Sequence, residues 1–206
     1  MTVLEAHILT RSVVAVGLLF LLASVPLLAK GQLVLIEISG ATLGTPVRIT
    51  DAKIENFSPW AGPGTSTNGV ENTEGFIVDW KAGVVKSHGA GLQHYEVSFY
   101  ASCHTETNDP RCLTKASFTV GMRLVYVVFY DYDPSLPRGF VYLPGKGSSF
   151  YYLNMGSIAR GCEGNWFLAK DSWEDFVRPA MAKTLKCYGC LIKDAFRDGY
   201  TPNWRK

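Results

Sequence analysis

Two cysteines near the C-terminus, Cys187 and Cys190 in the tetrapeptide Cys-Tyr-Gly-Cys, have the spacing of a redox-active pair. Such a pair exchanges electrons readily when one thiol has a lowered pKa, which a location at the N-terminus of a helix provides. Here the pair follows the only segment with a strong helical pattern, so the helix dipole has the wrong sign for stabilising a thiolate. Leu191 follows the second cysteine where haem c attachment requires histidine. For these reasons, extracytoplasmic thiol-redox or ligand-binding chemistry at this pair is the less favoured of two hypotheses for the function.

A second pair, Cys103 and Cys112, flanks a segment that contains Asn-Asp-Pro, a sequence typical of turns. Strand-like segments lie on both sides of the pair. We predict a disulfide that closes this loop, which requires an oxidising compartment. The disulfide candidates are Cys103, Cys112, Cys187 and Cys190. A zinc site built from all four is disfavoured because the first pair is too widely spaced, and Cys162 is expected to pack as a small apolar residue.

No other residues form a motif with catalytic or cofactor-binding spacing. The four histidines have no serine or cysteine motif nearby that would make one a general base; they are His7, His88, His94 and His104. The stretch Leu-Pro-Gly-Lys-Gly-Ser-Ser lacks the first glycine and the hydroxyl position of a phosphate-binding loop. We expect no catalytic residues, no cofactor and no metal, and therefore a protein that is not an enzyme.

Aromatic residues in predicted loops and in the C-terminal stretch are candidates for a protein interface, because Trp and Tyr give large contact areas at low entropic cost. These interface candidates are Trp60, Tyr151, Tyr152, Tyr200 and Trp204. Residues 186–206 carry five basic and two acidic side chains. This composition predicts a basic aromatic tail that lies on a protein partner or on anionic lipid headgroups.

The N-terminal region contains an apolar run, residues 13–29, without a charged side chain. As a helix it spans about 25 Å, just enough for the hydrocarbon core of a bilayer. Signal peptidase prefers small residues where the two candidate cleavage sites present Leu27 or Leu21. We predict a short tail at 1–12 and a retained transmembrane signal anchor at 13–30, while cleavage stays open. The predicted disulfide favours a cytoplasmic N-terminus and a periplasmic or extracellular remainder.

The remainder reads as one β-rich globular domain, residues 31–185, that ends in a helix. Residues 95–101 alternate between apolar and polar types, which is typical of a strand with one buried face. Residues 122–132 are rich in β-branched and aromatic types and predict a central strand, and residues 148–155 predict a further strand. Asp171 and Glu174 have capping-box spacing at the start of the helix, which Pro179 should kink or interrupt. The expected fold is mainly β, an antiparallel sheet, sandwich or partly open barrel of about seven or eight strands with one C-terminal helix.

Composition and charge narrow the function classes. The chain is 47% hydrophobic and 18% charged with a net charge of +2, which fits a packed domain. No cluster of Lys and Arg precedes the last twenty residues, so nucleic acid is not expected as a partner. We therefore expect a non-enzymatic, single-pass membrane protein that serves as an accessory or structural subunit of a larger membrane complex, of which energy-converting complexes are one class. Its expected partners are other subunits of that complex and the lipid bilayer.

Overall fold

A computed structural model describes residues 31–40, 43–67, 69–103, 112 and 121–197. For Thr67 and from residue 185 onward it describes the backbone only. The predicted anchor at 13–30, the two histidines His7 and His104, and the interface candidates Tyr200 and Trp204 lie outside these residues.

The described residues form nine strands and two α-helices. The strands are β1 (Leu33–Gly40), β2 (Val47–Ile49), β3 (Ser66–Thr67), β4 (Val70–Glu71), β5 (Val84–Val85), β6 (Gln93–Ser102), β7 (Met122–Tyr132), β8 (Phe140–Tyr142) and β9 (Trp166–Leu168). The helices are α1 (Tyr151–Ser157) and α2 (Asp171–Arg197), and two 3₁₀ helices cover Ala52–Phe57 and Trp80–Ala82. Seven strands make one sheet in the order β2-β1-β6-β7-β8-β9-β5, and β3 pairs only with β4.

Every strand pair is antiparallel, and the large sheet is open, with edges at β2 and β5. The prediction of a mainly β antiparallel fold is confirmed, in its open-sheet form rather than as a sandwich or barrel. The central position of β7 is also confirmed. The expectation of a single helix is wrong, because residues 148–155 contain the start of α1 and not a strand. In the part of the chain that the structure describes, neither α-helix has both the length and the apolar composition needed to cross a bilayer.

One face of the sheet forms the hydrophobic core. The alternation predicted in β6 is confirmed, since its four inward side chains are completely buried: Tyr95, Val97, Phe99 and Ala101. Helix α2 covers this face with Trp173, Val177 and Met181, which recur at intervals of four and are also buried. Residues at this spacing lie on one side of a helix, so a single apolar stripe docks α2 on the sheet. We refer to the face of the sheet that α2 covers as the core face.

A buried carboxylate fastens α2 to the sheet. Glu174 is 4% exposed and accepts hydrogen bonds from the Tyr130 hydroxyl at 2.9 Å, the Gly139 amide at 2.7 Å and the Arg178 guanidinium. Glu174 therefore reaches across to β7 and to the turn before β8, instead of bonding back to the helix start as a capping box would. Burial and the adjacent carboxylate raise the pKa of Tyr130, so its hydroxyl remains a hydrogen-bond donor.

Helix α2 is longer than the sequence predicts. It continues through Pro179 and past Cys187 and Cys190 to Arg197, so residues 186–197 of the predicted tail have a helical backbone. A proline inside a helix removes one backbone hydrogen bond, which the side-chain packing of the preceding turns on the sheet offsets.

The polar loop from Ser58 to the β3–β4 hairpin is held by a buried arginine. The Arg160 guanidinium donates to the backbone carbonyls of Pro59, Ala61 and Pro63, and its Cζ atom lies 4.6 Å from the centre of the Phe76 ring. Arg160 is 8% exposed, and burial lowers its pKa. The carbonyls and the ring face replace the hydration that the cation loses, and the loop therefore has a fixed path over the core.

Helix α1 caps an open stretch of β7. β6 pairs with β7 at Val127, but on the other side of β7 the strand β8 pairs only over Phe129–Asp131, so that side of Val127 has no neighbouring strand. The amide of Asn154, completely buried, accepts from the Val127 N–H at 2.9 Å and donates to its carbonyl at 2.7 Å. The Ser157 hydroxyl donates to the Val125 carbonyl. These side chains act as a substitute strand, which explains why a segment with strand-like residue types forms a helix here.

We expect Asn154→Ala to lower the free energy of unfolding by about 2–4 kcal/mol, because it leaves two buried backbone groups of Val127 without partners. Chemical unfolding of the full chain in detergent measures the change. Tyr152→Ala on the same helix is the control and should have little effect, since that side chain is 80% exposed. Equal stability of the Asn154 variant and wild type would contradict the capping role.

A second prediction concerns Asp79, which accepts from the Arg138 guanidinium at 2.7 Å and from the amides of Lys81 and Ala82. The hydrogen bond to Arg138 holds the pKa of Asp79 below its ordinary value. A lowered native pKa adds stability above about pH 4, and that stability is lost as the pH falls through the native pKa.

We therefore expect Asp79→Asn to be less stable than wild type by about 1 kcal/mol near neutral pH, with the difference shrinking below about pH 4. Unfolding midpoints across this pH range test it. Asp171→Asn is the control, because Asp171 also contacts Arg138, at 3.1 Å, but has a side chain that is 80% exposed. A constant difference at all pH values would show that ionisation of Asp79 adds no stability.

Candidate functional site

The face of the sheet opposite the core carries aromatic and titratable side chains in two neighbouring rows. Cross-strand register places one row across β6, β7, β8 and β9; it consists of His94, Asp131, Phe140 and Leu168. The next row consists of Glu96, Phe129, Tyr142, Trp166 and Val85. Successive residues of a strand point to opposite faces, so these rows are a direct consequence of burying Tyr130, Val141 and Phe167 in the core.

The rings of these rows contact one another, and we call the group the aromatic patch: His88, His94, Phe129, Phe140, Tyr142, Phe150 and Trp166. Ring centres are 5.0 Å apart for His94 and Phe129, 6.3 Å for Phe129 and Tyr142, and 5.0 Å for Tyr142 and Trp166. His88, from the loop after β5, lies 4.1 Å from Trp166 and 5.4 Å from Phe140. Six of these side chains are half-buried and His94 is exposed, so the patch presents a partly accessible apolar surface.

A buried carboxylate organises the patch. Asp131 is 8% exposed, and its two oxygens lie 2.9 Å from His88 Nε2 and 2.6 Å from His94 Nδ1. An ionised carboxylate only accepts hydrogen bonds, so each of these nitrogens must carry a proton and donate it. The contact fixes the orientation of both rings and holds the loop that carries His88 against the sheet. The side chain of His94 is 58% exposed and lies at the border of the patch.

This arrangement suits binding through apolar contact and directed hydrogen bonds. Aromatic rings with a polar group at one edge are characteristic of protein interfaces. Within the described ranges, no group of three His, Cys, Asp or Glu side chains has a geometry that could hold a metal ion.

The predicted disulfide between Cys103 and Cys112 is confirmed, with a Cα–Cα distance of 6.1 Å. The amide of Cys103 donates to the Gly121 carbonyl, which joins the end of β6 to the start of β7. Cys162 has a thiol that is partly buried against the core, and burial together with the nearby Glu163 carboxylate raises its pKa. Cys162 is therefore a packed thiol rather than a reactive thiolate.

Cys187 and Cys190 belong to the interior of α2, about four turns after its first residue. The favourable electrostatics of a helix N-terminus extend only over the first turn. The backbone therefore does not place the pair at a helix N-terminus, the location that activates a thioredoxin-type cysteine pair. This location disfavours the redox alternative.

The described interface candidates occupy two different places. Trp60 is half-buried and packs against the core, next to the carbonyl contacts of Arg160. Tyr151 and Tyr152 form the first turn of α1, with ring centres 5.3 Å apart, and Tyr152 is 80% exposed. Phe150, which directly precedes them, lies 6.1 Å from Phe129 in the patch. The two tyrosines thus follow a residue of the aromatic patch directly in sequence, and Tyr152 is exposed to solvent.

Sequence reasoning did not identify the patch, although it carried a signal. The alternation in β7 places Phe129 and Asp131 on the face opposite Tyr130, and His94 is the register partner of Asp131. Consideration of each histidine alone missed this pairing. The contribution of His88 has no local signal, because the loop reaches Asp131 from 43 residues away in sequence.

Comparison with models of known families, with curated proteins and with solved structures finds no significant match for this chain.

The shared carboxylate predicts the tautomers of both histidines. In the neutral state His94 should be protonated at Nδ1 and His88 at Nε2, because each of these nitrogens faces Asp131. Nitrogen-detected NMR of labelled imidazoles reports the tautomer directly. In Asp131→Asn, His94 should change to the Nε2-protonated form that is usual in water. A wild-type His94 already protonated at Nε2 would show that the contact with Asp131 does not exist in solution.

Proposed function

We propose that this chain is a non-enzymatic accessory subunit of a larger membrane complex, which its β-domain binds through the aromatic patch and Tyr151–Tyr152. A transmembrane anchor at 13–30 holds it in the membrane, with the β-domain on the periplasmic or extracellular side. Its partners are other subunits of the complex and the lipid bilayer.

The observation that carries this proposal is the asymmetry of the sheet. The core face has completely buried aromatic side chains, whereas the opposite face keeps a continuous set of half-buried rings with Tyr152 exposed beside them. Partly exposed apolar groups of this kind mark interaction sites, and Tyr and Trp are enriched in the residues that dominate binding energy. The carboxylate of Asp131 orients the rings in advance, which lowers the entropic cost of binding.

The disulfide between Cys103 and Cys112 supports the extracytoplasmic assignment, because such bonds persist in oxidising compartments. The non-enzymatic assignment is supported by the use of the buried charged groups. Glu174, Arg160 and Asp131 are each engaged by neighbouring groups in contacts that dock a helix, a loop or a ring.

The first test is gentle detergent solubilisation of native membranes, followed by sizing and mass spectrometry of every species that contains the chain. We expect a large complex that carries the uncleaved chain. Tyr151→Ala combined with Tyr152→Ala should weaken its association by roughly thirtyfold, the loss typical of an interface residue that contributes about 2 kcal/mol.

The matched control is Val70→Ala combined with Val84→Ala, which removes exposed apolar groups elsewhere, since these valines are 69% and 50% exposed. The control should stay in the complex. A wild-type chain that migrates alone would contradict the subunit proposal, and equal losses in the two double variants would contradict the role of Tyr151 and Tyr152 in binding.

The same material tests the alternative of extracytoplasmic thiol exchange or ligand binding at Cys187 and Cys190. If the purified chain reduces insulin disulfides and Cys190→Ser abolishes this activity, the redox function replaces the subunit function.

A further inference from the structure

We propose that the last part of α2, residues 185–197, lies on an anionic lipid surface as an interfacial helix. The inference deepens the proposed function by naming the lipid chemistry. It rests on that function only for the presence of a membrane nearby, since it requires no protein partner.

The path of α2 leads from the middle of the sheet to one of its edges. Glu174 fixes the start of α2 at β7 and at the turn before β8, near the middle of the sheet. Further along, Ala180, Lys183 and Thr184 line a cleft together with β2, which is the edge strand. The helix then continues to Arg197, about 20 Å beyond residue 184. Since the sheet of the described residues ends at β2, it offers no further strand to this part of the helix.

The sequence of residues 185–197 has the spacing of an amphipathic helix. Positions three, four, seven and eleven apart share one side of a helix, and here they hold apolar residues: Leu185, Tyr188, Ile192 and Phe196. One position after three of these, about 100° further around the helix axis, the residues are basic: Lys186, Lys193 and Arg197. The same spacing therefore generates an apolar side flanked by a row of cations. Asp194 is the only acidic residue in the stretch.

This last part of α2 has little helical stability of its own. An isolated helix of this length is marginal in water, and the central glycine, Gly189, costs about 1 kcal/mol relative to alanine. A helical stretch with an apolar side gains stability when a surface covers that side. An apolar side flanked by lysine and arginine matches the boundary between acyl chains and anionic headgroups, where each nearby basic residue adds to the attraction. Charge complementarity therefore identifies the occupant as anionic lipid.

The test is amide hydrogen exchange of the full chain with an excess of vesicles, measured by mass spectrometry. One set of vesicles is phosphatidylcholine alone, and the other contains about one third phosphatidylglycerol. We expect residues 185–197 to be protected only with the anionic vesicles. Residues 171–184 should be protected with both, because the sheet covers them, and they serve as the internal control for folding.

The variant is Lys186→Gln, Lys193→Gln and Arg197→Gln combined. It should lower the protection of residues 185–197 on anionic vesicles by roughly a hundredfold, since each basic residue near the surface contributes about fivefold. The matched control is Lys53→Gln, Lys86→Gln and Lys146→Gln combined, which removes the same charge from exposed positions of the β-domain. The control should keep wild-type protection.

Three results would overturn the proposal: protection of residues 185–197 with neither kind of vesicle, equal protection with both, or an equal loss in the two triple variants. Equal protection would mean that something other than anionic headgroups covers the helix. None of these results bears on the proposed subunit function, which is judged by migration with a complex in native membranes.

Discussion

The hydrogen-bonded carboxylate of Glu174 determines how the domain is assembled. A carboxylate that is 4% exposed persists only if its charge is compensated, and Tyr130, Gly139 and Arg178 provide that compensation together. Because these groups belong to β7, to the turn before β8 and to α2, the carboxylate sets the position of the helix on the sheet. Hydrophobic contact by Trp173 and Val177 stabilises the docked helix but does not fix its position, whereas the hydrogen bonds from Tyr130 and Gly139, which lie outside the helix, specify one position.

Docking α2 on one face has a consequence for the other face. The inward residues of β7 and β8 are committed to the core, so the alternate residues, including Phe129, Asp131 and Tyr142, must point away from it. Burying the charge of Asp131 among these rings has a cost in desolvation. The hydrogen bonds that Asp131 accepts from His88 and His94 offset this cost. The aromatic patch is thus the outer surface of the same strands that form the centre of the core.

The sequence predicts those parts of the fold that depend on neighbouring residues. Alternation in β6 and the β-branched composition of β7 follow from the backbone geometry of strands, so both could be inferred without a structure. Helix α1 could not, since its helical form depends on bonds from Asn154 to a strand 27 residues away. The aromatic patch could not be predicted for a related reason. The register that pairs His94 with Asp131 is a long-range property, and the contact of His88 depends on the path of a loop. The disulfide between Cys103 and Cys112 was predictable because a turn sequence lies between its two cysteines.

The length of α2 shows how local and long-range effects combine at the border of the domain. Pro179 taken alone predicts a kink or an interruption, but the helix continues through it, and the buried residues Trp173, Val177 and Met181 lie on both sides of it. Continuity brings the basic and apolar positions after residue 184 into a helical arrangement, where their separate spacings become two sides of one surface. Docking at Glu174 and the amphipathic pattern beyond the sheet are therefore linked. Docking supports the helix, and only in a helix does the spacing of these residues give an apolar side and a basic side.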